Sequence, residues 1–142
     1  MSEDLFEEGL LKKIPPSWEK CVKSLEISEN YLEESKTALR VKIYNSSILA
    51  SYNSMFHAAR AALFLKGVKE RSHYAIVEYL LQNCKKELGI DLINQLDSYR
   101  LMRHTVSYGL DAKISVDDAE SAIEFAEKFL EKIEDFVENE KR

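Results

Sequence analysis

Apolar residues recur along the chain at intervals of three and four, and no stretch alternates at intervals of two, so the pattern predicts helices and no strands. Between 17 and 39, Trp18, Cys21, Val22, Leu25, Tyr31 and Leu32 mark one face against Lys and Glu on the other, and Ser17 stands where an N-cap belongs. A second helix is predicted over 44–66, where Leu49, Tyr52, Asn53, Met55, Phe56, Ala59, Ala62 and Leu63 cover more than one face. That breadth places it at the centre of a bundle, and Gly67 is suited to end it. The third helix, 72–88, opens at Ser72, turns Ile76, Val77, Leu80, Leu81 and Cys84 inward, and stops at Gly89. The fourth, 91–106, carries Leu92, Leu96 and Tyr99, with Gly109 as its stop. The fifth, 116–138, follows a capping box of Ser115 and Asp118 and repeats Ala119, Ile123, Ala126, Phe129, Leu130, Ile133 and Val137.

Residues 1–13 read as a short amphipathic turn or loose helix, cut off by Pro15 and Pro16, which cannot occupy a helix interior. The organisation expected is therefore an N-terminal extension, 1–16, and a single domain, 17–142. Its fold class is all-α: an antiparallel up-and-down bundle of four to five helices. With 142 residues, 45% of them hydrophobic and only four Gly and two Pro, the composition fits one helical core.

Charge narrows the partners. A net charge of -5 does not describe a general polyanion binder, so any contact with RNA or nucleotide must be local. The start of the chain is acidic where a secretory signal would be basic, and no apolar run reaches the roughly 18 residues of a membrane span, so no membrane role and a cytoplasmic location are expected. Cys21 and Cys84, in separate apolar segments, read as buried thiols of a reducing compartment. The three histidines have no mutual spacing of three or four and no carboxylate pattern accompanies them, so no metal site is expected, and with no glycine-rich phosphate loop no cofactor is expected either.

Local chemistry concentrates in Tyr99-Arg100-Leu101-Met102-Arg103-His104-Thr105-Val106-Ser107-Tyr108-Gly109. On a helix Arg100, Arg103, His104 and Ser107 fall at i, i+3, i+4 and i+7 and share a face, with Tyr108 beside them. Guanidinium groups hold phosphate oxygens in bidentate fashion, and an imidazole titrating near neutral pH can move a proton. The plain alternative is a solvated helix end, where Arg and His are favoured by the dipole. His57, inside the most apolar helix, reads as a satisfied core or interface histidine. His73 follows Ser72 close to Lys66, Lys69 and Arg71, where it extends a small basic patch or sits in a solvated loop.

The run 47–67 (SILASYNSMFHAARAALFLKG), then Ser72-His73, then 99–109 and Ile114-Ser115, together resemble HEPN domains, the higher eukaryotes and prokaryotes nucleotide-binding family, and most closely its small stand-alone prokaryotic and archaeal members. The resemblance implies an antiparallel helical bundle, usually a homodimer, often encoded beside a minimal nucleotidyltransferase as a toxin and antitoxin pair. In active members an Arg followed at short spacing by a His forms a metal-independent endoribonuclease site at the dimer cleft. Carried onto this chain, Arg100 and Arg103 match the arginines, His104 is the candidate base one position short of the usual spacing, and Tyr108-Gly109 match the aromatic-glycine pair. Ser107 stands where the family usually has Asp or His. The expected roles are catalysis for Arg100 and His104, and phosphate or nucleotide binding for Arg103, Ser107, Tyr108 and His73. Three functions are open on these observations: a binding module paired with a nucleotidyltransferase, an active ribonuclease toxin, or a structural helical dimer.

Overall fold

The computed structural model describes residues 2–108 and 113–141 of the chain. Helix α1 (Ser2–Glu7) and strand β1 (Leu11–Lys13) precede α2 (Trp18–Arg40) and α3 (Tyr44–Leu65). Strand β2 (Val68–Glu70), α4 (His73–Asn83), α5 (Lys85–Leu88), α6 (Ile90–Tyr108) and α7 (Val116–Lys141) complete the order. The fold is all-α apart from the two three-residue strands.

Capping agrees with the sequence. The Ser17 hydroxyl accepts from the Lys20 amide at 3.0 Å, and Ser72 caps α4 through the Ala75 amide at 3.0 Å. Ser115 and Asp118 exchange both bonds of a capping box, at 3.0 and 3.1 Å. Gly89 takes φ 89 after α5. Gly109, read as the stop of the fourth helix, lies outside the described residues.

Helix α3 is the central element, with residues buried around its whole circumference, including Ile48, Tyr52, Met55, Ala58, Ala59, Ala62 and Leu63. Against it α2 runs antiparallel, Ser28 meeting Ser54 and Ser35 meeting Ser47. Helix α7 runs alongside α3 in the same direction: Ala119 and Ala122 pack with Ile48 near their starts, and Lys66 Nζ reaches Glu140 Oε2 at 2.8 Å near their ends. Helix α6 lies antiparallel to α7, with Tyr99 stacked on Phe125 at 5.3 Å and Val106 beside Ala119 and Ala122.

The structure departs from the sequence-based expectations in four places. The third helix is not continuous over 72–88 but breaks at Cys84 (φ -129); Asn83 is a weak helix former, and its side-chain amide donates to the Tyr79 carbonyl at 3.0 Å, competing with the backbone ladder. Two strands exist where none was expected, because three residues are too few to display an alternation. Segment 1–13 is a helix followed by one of those strands, and Leu5 and Leu11 join the same core as the long helices. Finally, the inner face of α2 is Cys21, Ser24, Ser28, Leu32 and Ser35, and Trp18 is 41% exposed beneath Lys141.

The small sheet fixes the entry into α4. Gly67, at φ 77, turns the chain out of α3, and β2 pairs antiparallel with β1 in the register Leu11↔Glu70, Lys12↔Lys69 and Lys13↔Val68. Arg71 N donates to the Leu10 carbonyl at 2.8 Å, so the residues leading into Ser72 and His73 are anchored on both sides.

Candidate functional site

The second half of α6 buries Val106, with Tyr99 and Met102 packed beside it, against Ile48, Ala119 and Ala122. This turns the neighbouring stripe of Arg100, Arg103, His104 and Ser107 away from that contact. Along the stripe Arg100 and Arg103 are half-buried, whereas His104 and Ser107 are exposed. Arg100 Nε donates to Asp97 Oδ1 at 2.7 Å, and its guanidinium lies 5.7 Å from the Tyr74 ring centroid on α4. The side chain of Tyr108 lies outside the described residues.

Across from this stripe stands His73, the first residue of α4. Its Nδ1 is 2.8 Å from the hydroxyl of Tyr52 on α3. The imidazole stacks on Phe56 with centroids 4.0 Å apart and planes 16° apart, and lies 5.6 Å from the Tyr52 ring. Burial holds His73 below the ordinary histidine range, and the charges of Arg103, Arg100 and Arg60 add to the effect in that order, so the ring is neutral at pH 7. Tyr52 is 2% exposed; burial pushes its hydroxyl well above the ordinary tyrosine range, while Arg103 and Arg100 pull the other way. The two arginines of α6 therefore act on a tyrosine of α3 and a histidine of α4.

A second polar cluster adjoins it. Arg60 on α3 lies between the rings of Phe56 and Phe64, at 5.7 and 5.3 Å, with Nε 2.7 Å from Glu70 Oε1 on β2. The approach is close but misaligned, since the Nε–H makes no hydrogen bond among the described residues and neither does Glu70 Oε2. Burial raises the Glu70 carboxyl above the usual range in spite of the guanidinium, because the residue is only 9% exposed. Phe56, Arg60, Glu70, Arg71, Ser72 and His73 line a cavity of about 240 Å³. A larger groove of about 590 Å³, between the start of α6 and α7, is lined by Asp91, Gln95, Lys128 and Asp135 among others and contains no arginine or histidine.

The structure brings Arg100, Arg103 and His73 together and leaves His104 and Ser107 on the outer part of the α6 face. Sequence reasoning missed Tyr52, Phe56, Arg60 and Glu70. The signal for Tyr52, Arg60 and Glu70 was polar or charged groups inserted in an otherwise apolar helix and the residues just after it, while Phe56 read only as part of the apolar pattern. His57 is not the satisfied histidine expected. It stacks on Tyr31 at 5.4 Å with planes 12° apart, its Nδ1 has no hydrogen-bond partner among the described residues, and burial lowers its pKa to about 4. Both cysteines are buried free thiols, with Cys21 pushed up to about 11 and Cys84 to about 12 by burial. Among the described residues no three His, Cys, Asp or Glu side chains are grouped to hold a metal ion, and no helix is long and apolar enough to cross a membrane.

Chemically, guanidinium groups donate in a planar fork and an imidazole nitrogen donates or accepts according to its protonation, so side chains of these types are able to pair with an anion bearing several oxygen acceptors. A relative from Archaeoglobus fulgidus, named "UPF0332 protein", is 29% identical over 112 residues, covering 78% of this chain and 89% of that one. A Methanocaldococcus jannaschii protein named "Putative toxin MJ0142" is 26% identical over 117 residues, covering 81% and 80%. A shorter match, 37% identical over 59 residues and 42% of each chain, is to "UPF0332 protein PH1297" of Pyrococcus horikoshii. The family model described as "HEPN domain" matches residues 21–136, which takes in α3, α4 and α6 with the whole arginine and histidine cluster, and the chain belongs to the HEPN domain family.

Proposed function

We propose that this chain is the HEPN half of a cytoplasmic toxin–antitoxin-type pair. In this reading it binds the phosphate of RNA or of a nucleotide through Arg100 and Arg103, with His73, His104, Ser107 and Tyr108 around them. The observation that carries the reading is a pair of half-buried arginines on α6, Arg100 lying over Tyr74 of α4 at 5.7 Å, whose charges act on the hydrogen-bonded Tyr52 and His73 of two other helices. On a chain of net charge -5, such a local group of cations is the feature that suits an anionic ligand. The toxin in the name of the Methanocaldococcus jannaschii relative supports the pairing.

One helix face does not enclose a phosphate alone, so the active form is a homodimer with the Arg100 and Arg103 faces turned toward each other, and a minimal nucleotidyltransferase is the partner. Fluorescence anisotropy with a labelled single-stranded RNA tests the reading. The wild-type chain binds, binding weakens as salt rises, and the double variant R100A/R103A loses at least about tenfold in affinity. Equal binding by the double variant removes the proposed face, and sedimentation showing only monomer at micromolar concentration removes the dimer.

A second reading, a metal-independent endoribonuclease, is favoured by the presence of a neutral imidazole beside two guanidinium groups. Such an imidazole accepts the ribose 2′-hydroxyl proton as that oxygen attacks the adjacent phosphorus, the arginines stabilise the crowded anion, and the P–O5′ bond breaks with the 5′-oxygen taking a proton from solvent as it leaves. Cleavage of RNA that persists in chelator and ends in a 2′,3′-cyclic phosphate establishes this activity; intact RNA after prolonged incubation leaves the binding module.

A further inference from the structure

Ser107 and His104 are both exposed on the outer part of the α6 face. Another imidazole is better placed. We infer that His73, held through Nδ1 by Tyr52 and stacked on Phe56, is the ring that works with Arg100 and Arg103, presenting Nε2 to the phosphate that the two guanidinium groups hold. The inference rests on the phosphate-binding reading above and names the titrating member of that site.

Three observations carry it. First, the ring is oriented: the Tyr52 hydroxyl at 2.8 Å occupies Nδ1, and the Phe56 ring at 4.0 Å covers one face. The remaining polar atom is Nε2, and because His73 is only half-buried and lines the 240 Å³ cavity, an edge of the ring is accessible to a ligand. Tyr52 and Phe56 are thus positioning residues.

Second, the imidazole lies in the field of a basic group drawn from three parts of the fold. Arg60 faces it from α3, Arg71 follows β2, and Arg100 and Arg103 face it from α6. The other ionisable groups around it are His57 and Tyr52 on α3, Glu70 on β2, Asp97 on α6, and Tyr74 beside it on α4. Of the two carboxylates, Glu70 is engaged by Arg60 and Asp97 by Arg100, both at 2.7 Å. What remains next to the ring is positive, so in the tautomer this inference takes, with Nδ1–H donating to the Tyr52 hydroxyl and Nε2 bare, a second proton on Nε2 is disfavoured until an anion arrives.

Third, this sets a direction for the coupling. A phosphate seated between the guanidinium groups and Nε2 offsets their field, so the ring takes a proton from solvent and donates Nε2–H to a phosphate oxygen. Phosphate binding and His73 protonation then reinforce each other, and affinity rises as pH falls. Where the chain also cleaves RNA, the same nitrogen in its neutral form is the proton acceptor.

The test uses the full chain labelled with 15N-histidine and a 2′-O-methyl oligouridylate, whose phosphodiesters neither titrate near neutral pH nor undergo cleavage through the 2′-oxygen. The three imidazoles are assigned with H57F, H73Q and H104Q. In wild-type protein the oligonucleotide is expected to raise the His73 pKa by about one unit or more, equivalent to about tenfold tighter binding to the protonated form, with Nε2 as the site protonated. H73Q abolishes the pH dependence of affinity and H104Q retains it. Y52F binds the probe but loses the fixed tautomer, seen in the His73 nitrogen shifts. The wild-type titration stands whether or not any variant folds. A His73 pKa unchanged by the probe, or a pH dependence that survives H73Q and vanishes in H104Q, overturns the inference while the phosphate reading stands. A probe that does not bind the wild-type chain at any pH of the titration overturns both.

Discussion

Ser35 on α2 donates its hydroxyl to the Ser47 carbonyl on α3 at 2.8 Å, and Ser47 returns a bond to the Ser35 carbonyl at 2.9 Å. Ser51 joins the pair through its own hydroxyl at 2.5 Å from Ser35, and two turns away Ser28 donates to the Ser54 carbonyl at 2.7 Å with the two hydroxyls 3.0 Å apart. Small side chains let the two backbones approach, and each buried hydroxyl finds an acceptor on the opposite helix.

The serine seam predicts a graded series. Replacing Ser35 with Ala removes its own bonds and the partner of the buried Ser51 hydroxyl but leaves the Ser47 hydroxyl paired with the residue-35 carbonyl, for a loss of about 1–3 kcal/mol. Replacing it with Leu forces extra carbons into a close contact and costs about 1–3 kcal/mol more. Urea unfolding of the two variants checks the order; equal stabilities would mean that the helices are not held at this spacing.

That seam is also where the sequence was hardest to read. The long helices α2, α3, α6 and α7, the caps at Ser17, Ser72 and Ser115, and the turns at Gly67 and Gly89 follow from local pattern, because apolar period and cap chemistry act within a few residues, whereas the break at Cys84 does not. The inward face of α2 does not, since Ser24, Ser28 and Ser35 carry its helical period and a search for apolar residues passes over them. The site divides in the same way. Arg100 and Arg103 were visible as a pair on one face, whereas their neighbours Tyr52 and His73 come from other helices and meet them only through tertiary packing.

The pair of Arg60 and Glu70 predicts an asymmetric mutational cycle. Glu70 is 9% exposed, so Arg60→Ala strands a buried carboxylate and costs about 3–5 kcal/mol at neutral pH. Adding Glu70→Gln to that variant recovers most of the loss. Because the folded carboxyl titrates above its ordinary value, its unfavourable contribution grows as pH rises through that folded pKa, so R60A is least impaired under acidic conditions. Chemical denaturation of both variants at two pH values measures the coupling, and a double variant no more stable than R60A would exclude it.

Gly67 offers a test of the sheet that anchors the route to His73. Its φ is 77, and a Cβ there would stand 2.7 Å from the Ile14 carbonyl oxygen. Gly67→Ala therefore strains the turn by about 1–3 kcal/mol and pushes β1 from β2. Faster hydrogen exchange at Ile14, whose amide donates to the Gly67 carbonyl at 2.9 Å, is the expected local signature. Unchanged exchange in a folded variant would show that the close approach is not restrictive.

His57 predicts the acid response of the fold. Its pKa is about 4 in the folded chain against an ordinary 6.5, chiefly because it is buried against Tyr31, with Arg60 and His73 adding to the shift. The unfolded chain binds the proton more readily, so this stability is fully present above pH 6.5, declines as pH falls from 6.5 to about 4, and is lost below. Solvent screening of a half-buried ring reduces the full change to about 2 kcal/mol. Phenylalanine preserves a flat ring over Tyr31 and cannot titrate, so His57→Phe should lose less stability than wild type between pH 7 and pH 4.5. Unfolding free energies measured at both pH values give the comparison directly: parallel losses in the two proteins would place the acid sensitivity elsewhere, whereas a shallower slope in H57F assigns it to this imidazole.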